Sequence, residues 1–388
     1  MTRRRSEGGS SLWASAGSYL VGTVGLQAVN FLSQPLFANL MSPAAVAQGA
    51  VFLFWSTLLG LVLSLQVGSS LNNVVSSHGE GELRTYVSSF VTTFTVLALM
   101  VGVVLTVLPG HWLDFTGLSR GYVLLAVASG WSAAVVNTAM SQAIAMRRPM
   151  TFLRLSAAVV IGGVALGLLL IWTLPADRAF SRIAGYVAAS LLASVAVLIR
   201  LRWRPRPQIR SHLGFAIAIT APLLIHELLA LLINQSNRVF LLHWVGAQRT
   251  GVFTFAWTMG GIVALAGAAL NNAWLPWFFR HMDASDEHKV RTEGRRVIWI
   301  VGVSTSMLVL VSPEVLMLVG SAYQDGAAII PFAIAAGLLT FLFNFTSNYV
   351  IYRRRTRLLL VASVPATVAN LTLNAVLIPL WGVNGAVA

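Results

Sequence analysis

Four stretches of this chain carry amides and hydroxyls at the spacing of one helical face. Thr23, Gln27, Asn30 and Gln34 fall at offsets 0, 4, 7 and 11. Ser363, Thr367, Asn370 and Asn374 repeat those offsets near the other end. Thr220, Glu227, Asn234 and Arg238 fall at 0, 7, 14 and 18, and Thr340, Asn344 and Asn348 at 0, 4 and 8. Such spacings place side chains on one side of an α-helix. An amide offers donors and an acceptor together, which suits sugar hydroxyls. Gln27, Asn30, Gln34, Asn234, Asn344, Asn370 and Asn374 are therefore candidate substrate ligands lining a hydrated cavity. The competing reading is interhelical glue, because amides also tie membrane helices together.

Two charged residues stand among these amides. Glu227 is the one carboxylate well inside an apolar run, roughly 22 Å along a helix from His212. A charge there costs at least about 3 kcal/mol on insertion scales, so it must be protonated, paired or hydrated. It is a candidate coupling site for H⁺ or Na⁺, or else a protonated structural carboxyl. His226 points about 100° away from it. Arg238 lies near the end of the same run. It is placed to hold a phosphate group or to snorkel to the membrane interface. There is no cysteine, no metal-ligand cluster and no nucleotide-binding motif. The acids on the outer side are scattered singles, Asp114, Asp177, Glu314 and Asp325. No catalytic residue, metal or cofactor is assigned, apart from a coupling ion.

The elements that must position these residues are membrane spans. The chain is 57% hydrophobic and 10% charged, where a soluble domain carries about a quarter charged residues. A spanning helix needs about 20 apolar residues. Eleven runs meet that length: Trp13–Asn39, Val46–Ser70, Tyr86–Leu108, Gly121–Met146, Leu153–Leu174, Ile183–Ile199, His212–Ile233, Gly251–Leu270, Val297–Leu318, Ala327–Tyr349 and Leu358–Ile378. A twelfth begins at Gly385, where the chain stops, so a truncated twelfth helix is expected. Lipid offers exposed backbone groups no partners, so the fold class is all-α and polytopic.

Arginine fixes the expected orientation. With Arg3, Arg4 and Arg5 inside, 21 of the 26 Lys and Arg fall in inner loops and five outside. This is the positive-inside bias, with a cytoplasmic N-terminus. The net charge of +14 does not imply nucleic-acid binding, because the basic residues are parcelled between spans. The first run is too long for a cleaved signal peptide. Twenty-five Arg against one Lys fits a GC-rich bacterial genome and a bacterial plasma membrane.

The Arg- and Pro-rich segment 200–211 divides the chain into two six-helix lobes, 1–199 and 212–388, around a central cavity. Proline there disfavours helix, and the arginines suit lipid headgroups. The lobes carry faint self-similarity: Gly49-Ala-Val-Phe-Leu-Phe-Trp55 and Gly251-Val-Phe-Thr-Phe-Ala-Trp257 open corresponding helices. Parallel repeats of this kind occur in transporter folds.

The segment from Asn370 through Asn374, Ile378-Pro379, Gly382 and Gly385-Ala386 resembles the Asn-x-x-Leu-Asn-x-x-Leu-Ile-Pro-x-x-Gly-x-x-Gly-Ala signature of polysaccharide flippases. These belong to the multidrug/oligosaccharidyl-lipid/polysaccharide exporter superfamily. Asn237-Arg238 followed by Gly251-Val252-Phe253 is similar to the family's Asp-Arg and Gly-x-Tyr segment, with Asn for Asp and Phe for Tyr. The resemblance is specific mainly over 251–388. It implies alternating access that flips a polyprenyl-diphosphate-linked oligosaccharide from the cytoplasmic to the outer leaflet. Its implied partners are that lipid-linked oligosaccharide, the bilayer, and a glycan polymerase or glycosyltransferases. Two other classes stay open: a cation or drug antiporter of the same superfamily, and a membrane glycosyltransferase or polymerase.

Overall fold

The structure, a computed structural model, describes residues 22, 25–78, 80–174, 177–201, 203, 209–317, 319–353, 355 and 357–387. Thr23, the arginines of the N-terminus and half of the 200–211 segment lie outside the described residues.

Helix is the dominant element and no strand occurs among the described residues. Helix α1 covers residues 25–40. It is followed by α2 (Pro43–Ser64), α3 (Leu71–His78), α4 (Glu80–Val107), α5 (Gly110–Asp114), α6 (Arg120–Ala145) and α7 (Pro149–Thr173). Next come α8 (Arg178–Leu201), α9 (Ile209–Trp244), α10 (Ala247–Asp283), α11 (Glu287–Met317), α12 (Ile330–Tyr352), α13 (Arg357–Trp381) and the short α14 (Val383–Val387). Ten of these, α2, α4 and α6–α13, are long and apolar enough to cross a membrane. They match ten of the eleven expected runs, and α1 is the described part of the remaining one.

The spans end differently from the apolar runs. The run read as Val46–Ser70 breaks at Leu65 and Gln66, both left-handed with φ of 47° and 52°. A 3₁₀ turn over Val67–Ser70 and α3 follow. Neither Gly nor Pro marks this break. Packing holds it instead: a Cβ on Gly68 would stand 2.6 Å from Ser141 Oγ, and the hydroxyls of Ser70 and Tyr86 meet at 2.8 Å. Helix α9 runs to Trp244 and α10 to Asp283, well past the expected Ile233 and Leu270. Pro313 sits inside α11 and removes the N–H that Val309 O would accept. Ser312 Oγ donates to that oxygen at 2.8 Å, the kind of local repair that lets a membrane helix hold proline.

Contacts group the chain into two compact units. One comprises Gln48–Val239 with the residues before Phe31, the other Phe31–Ala47 with Phe240–Ala388. The boundaries fall inside α1, α2 and α9. In the first unit α7 and α8 pack backbone to backbone, since a Cβ on Gly185 would overlap the main chain of Gly167. Membrane helices associate through such small residues because lipid provides no hydrophobic drive between them. Ser132 Oγ meets Ser190 Oγ and Ser194 Oγ, both at 2.7 Å, and joins α6 to α8. The core there includes Leu63, Leu83, Tyr86, Phe90 and Phe94.

In the second unit α10 and α12 pair through Gly260 and Gly337, where a Cβ on Gly337 would overlap Gly260 O. Trp274, Phe278, Phe341 and Phe345 form a core beside that seam. The α1–α2 corner is held by Tyr323 Oη donating to Met41 O at 3.1 Å and Gly320 N donating to Asn39 Oδ1 at 3.0 Å. Gly251 lies against Pro43 with no room for a Cβ. Its repeat counterpart Gly49 has open space around it, so the matching glycines do different work. Gly382 (φ 60°) turns the chain from α13 into α14. A new helix thus starts at Val383, two residues before the expected Gly385.

Candidate functional site

The amide stripe of α13 occupies one environment. Thr367 and Asn374 are 2% and 5% exposed, while Val368 on the far side is 60% exposed. Asn374 Nδ2 donates to Asn370 Oδ1 at 3.1 Å, joining two successive turns. Thr367 Oγ1 donates to Ser363 O at 2.8 Å. The helix therefore turns valines outward and its amides into the protein.

Helix α12 divides its amides. Asn344 is exposed. Asn348 is buried, and its Nδ2 donates to Asn271 Oδ1 of α10 at 2.6 Å. Asn271 lies one residue beyond the apolar run that ends at Leu270, so run length alone excluded it from the candidates. This pair is interhelical glue inside the second unit.

On α1, Gln27 and Asn30 are exposed and Gln34 is half-buried. Leu32 and Leu36 are also exposed. Gln27 and Leu36 are nine residues apart, which puts them on opposite sides of the helix. The helix thus shows an apolar surface on one side and a polar one on the other. The apolar side suits acyl chains, and the polar side is the costly one to leave in lipid.

Helix α9 does not keep its stripe in one environment. Thr220 is buried, but Glu227 and Asn234 are exposed. Pro222 lies between them inside the helix, where it removes one rung of the hydrogen-bond ladder. Asn234 Nδ2 donates to Ala230 O at 2.7 Å. Glu227 makes no hydrogen bond or ion pair among the described residues.

Arg238 is the one candidate in an unusual electrostatic setting. Its Nη1 donates to Gln235 Oε1 at 3.0 Å. Its Nε is buried without a hydrogen-bond partner, as are Ser236 Oγ and Asn237 Oδ1 beside it. No carboxylate pairs with Arg238 among the described residues. A buried donor on a charged group left unmatched costs more than the 1–3 kcal/mol typical of a neutral one. An oxyanion such as a phosphate would satisfy the guanidinium; Ser236 leaves the helix nearly opposite, about 200° around from Arg238. Helical spacing pointed to Arg238; the orphaned Ser236 and Asn237 were not among the candidates, because their burial depends on tertiary packing.

No three His, Asp or Glu side chains gather as a metal site among the described residues.

The model of a family described as "Polysaccharide biosynthesis protein" matches residues 12–282. No curated protein sequence matches the chain. Among solved structures, the lipid II flippase MurJ in an inward closed conformation superposes with a TM-score of 0.75 at 13% identity, covering 95% of this chain and 83% of that one. An outward-facing multidrug resistance MATE family transporter of the MOP superfamily gives 0.59 at 14% identity, covering 97% and 90%. A MOP superfamily transporter from Pyrococcus furiosus gives 0.54 at 12%, covering 97% and 91%. At these identities the likeness is one of fold: the all-α arrangement of this transporter superfamily.

Proposed function

Because this chain belongs to the polysaccharide biosynthesis protein family, we propose that it flips a polyprenyl-diphosphate-linked oligosaccharide across a bacterial plasma membrane by alternating access. The multi-pass membrane architecture and the transporter fold are its frame. The observation that carries the substrate class is Arg238, a guanidinium with no carboxylate partner among the described residues and a buried, unmatched Nε–H inside a span. Such a group attracts the diphosphate of a lipid carrier and repels a cationic drug. The amides of α1, α12 and α13 meet the glycan hydroxyls: Gln27, Asn30, Gln34, Asn344, Asn370 and Asn374, with Asn234 near the diphosphate.

In this reading two six-helix lobes enclose a hydrated cavity, and the N-terminus and Arg-rich loops lie in the cytoplasm. The lipid tail stays in the bilayer while the sugar crosses. Glu227 exchanges H⁺ or Na⁺, and differential binding of ion and substrate to the inward and outward states drives the switch. A glycan polymerase or glycosyltransferases supply and consume the substrate. The cation antiporter reading is weaker, because Glu227 is exposed and alone rather than set in an acidic pocket.

Reconstituted vesicles offer the test. They are loaded on one side with either a fluorescent polyprenyl-diphosphate oligosaccharide or a cationic dye. Translocation of the lipid-linked sugar and not the dye is expected. Dye export without sugar-lipid flipping would replace this reading with the antiporter.

A further inference from the structure

Helix α11 carries a surface feature that the transport reading does not use. Arg291, Arg295 and Trp299 are spaced by four residues, so they lie along one side of the helix. Arg291 and Arg295 are exposed, and neither makes a hydrogen bond or ion pair among the described residues. The nearby carboxylates are engaged elsewhere. Glu293 pairs with Arg296 at 2.7 Å, Glu287 pairs with Arg353 at 3.6 Å, and Asp286 Oδ1 accepts from Lys289 N at 3.3 Å. Glu287 stands one turn before Arg291 and would be its natural partner, yet it faces α12.

Beyond Trp299, itself 68% exposed, that side continues through Val303 and Leu310, both exposed and within about 80° of Arg295 around the helix. Arg295 to Leu310 spans roughly 22 Å along the helix, more than half the depth of a hydrocarbon core. One helix side therefore presents two free guanidinium groups, a tryptophan at the level where indoles favour the interface, and an apolar track.

We propose that Arg291, Arg295 and Trp299 form a docking site for the phosphate headgroup of an anionic phospholipid, with its acyl chains along Val303 and Leu310. Charge complementarity selects the anionic headgroup over a zwitterionic one. Two cations one turn apart hold one phosphate from two sides.

The test uses the full chain in detergent micelles, titrated with phosphatidylglycerol or phosphatidylcholine and read by native mass spectrometry. Wild type is expected to retain phosphatidylglycerol preferentially. The double substitution Arg291→Gln with Arg295→Gln is expected to lower that affinity roughly thirtyfold, the effect of removing two surface charges. Phosphatidylcholine retention is expected to stay unchanged. Arg296→Gln removes an equal charge from a paired residue on another side and is expected to change retention less than threefold. Equal losses in Arg296→Gln and in either single variant would mean a diffuse charge effect and overturn the site. So would unchanged phosphatidylglycerol retention in the double variant. Displacement of phosphatidylglycerol by an equimolar polyprenyl diphosphate would reassign the site to the carrier lipid.

Discussion

Replacing Asn348 by alanine tests how the second unit is held together. The Asn348 amide is 3% exposed and donates to Asn271 Oδ1 across α10 and α12 at 2.6 Å. Interhelical hydrogen bonds in membrane proteins average about 0.6 kcal/mol and reach about 1.7. This one is short and joins a buried amide to a half-buried one, which puts it toward the upper end. Asn348→Ala also leaves Asn271 Oδ1 without its donor, and an orphaned buried group costs about 1–3 kcal/mol. We expect a loss of about 1.5–2 kcal/mol in reversible unfolding in mixed micelles. Asn271→Ala should cost a similar amount, and the double variant less than the sum, with a coupling near 1 kcal/mol. Additive losses in the double variant would show that the two amides do not act as a pair. A loss below about 0.3 kcal/mol for Asn348→Ala would refute the assigned burial.

Three further substitutions probe other parts of the molecule. Gly185→Val places a side chain against the backbone of Gly167, so it should cost at least the 1–3 kcal/mol of an overpacked core and separate α7 from α8, seen as lower thermal stability. Asp177→Ala removes the carboxylate whose Oδ1 accepts from Phe180 N at 2.9 Å and whose Oδ2 accepts from Tyr122 Oη at 3.1 Å. As loss of a helix cap, this should destabilise the first unit by about 1 kcal/mol, measurable by the same unfolding assay, while Asp177→Asn keeps much of it. Glu227→Gln should leave stability within about 0.5 kcal/mol, as an exposed unpaired site, but abolish the dependence of flipping on an imposed ion gradient; intact gradient dependence would remove Glu227 from the mechanism.

What could be read from sequence follows from where each property is determined. The spans were legible because a 20-residue apolar run has few alternatives to a membrane helix. Their ends were less so, because α10 continues through Asn271, Asn272 and Arg280 after its apolar run stops. The left-handed residues of the kink, Leu65 and Gln66, are neither glycine nor proline, and just after them Gly68 packs close to Ser141, a residue far apart in sequence. The α13 stripe was legible as one buried side because that helix keeps a constant environment along its length. The α9 stripe was not, since burial changes from Thr220 to Glu227 around Pro222. The split between glue and ligand within α12, Asn348 against Asn344, needs the position of α10, which no periodicity in α12 encodes.

The most direct measurement is the flipping rate of a polyprenyl-diphosphate oligosaccharide in vesicles containing Arg238→Gln, beside wild type and Arg238→Lys. A lost charge-assisted hydrogen bond is worth about 1.5–3 kcal/mol. The account therefore expects Arg238→Gln to flip roughly tenfold to a hundredfold more slowly, with Arg238→Lys recovering part of the rate and all three proteins equally folded. Wild-type flipping by Arg238→Gln would contradict it, and the guanidinium would then be an anchor at the membrane interface.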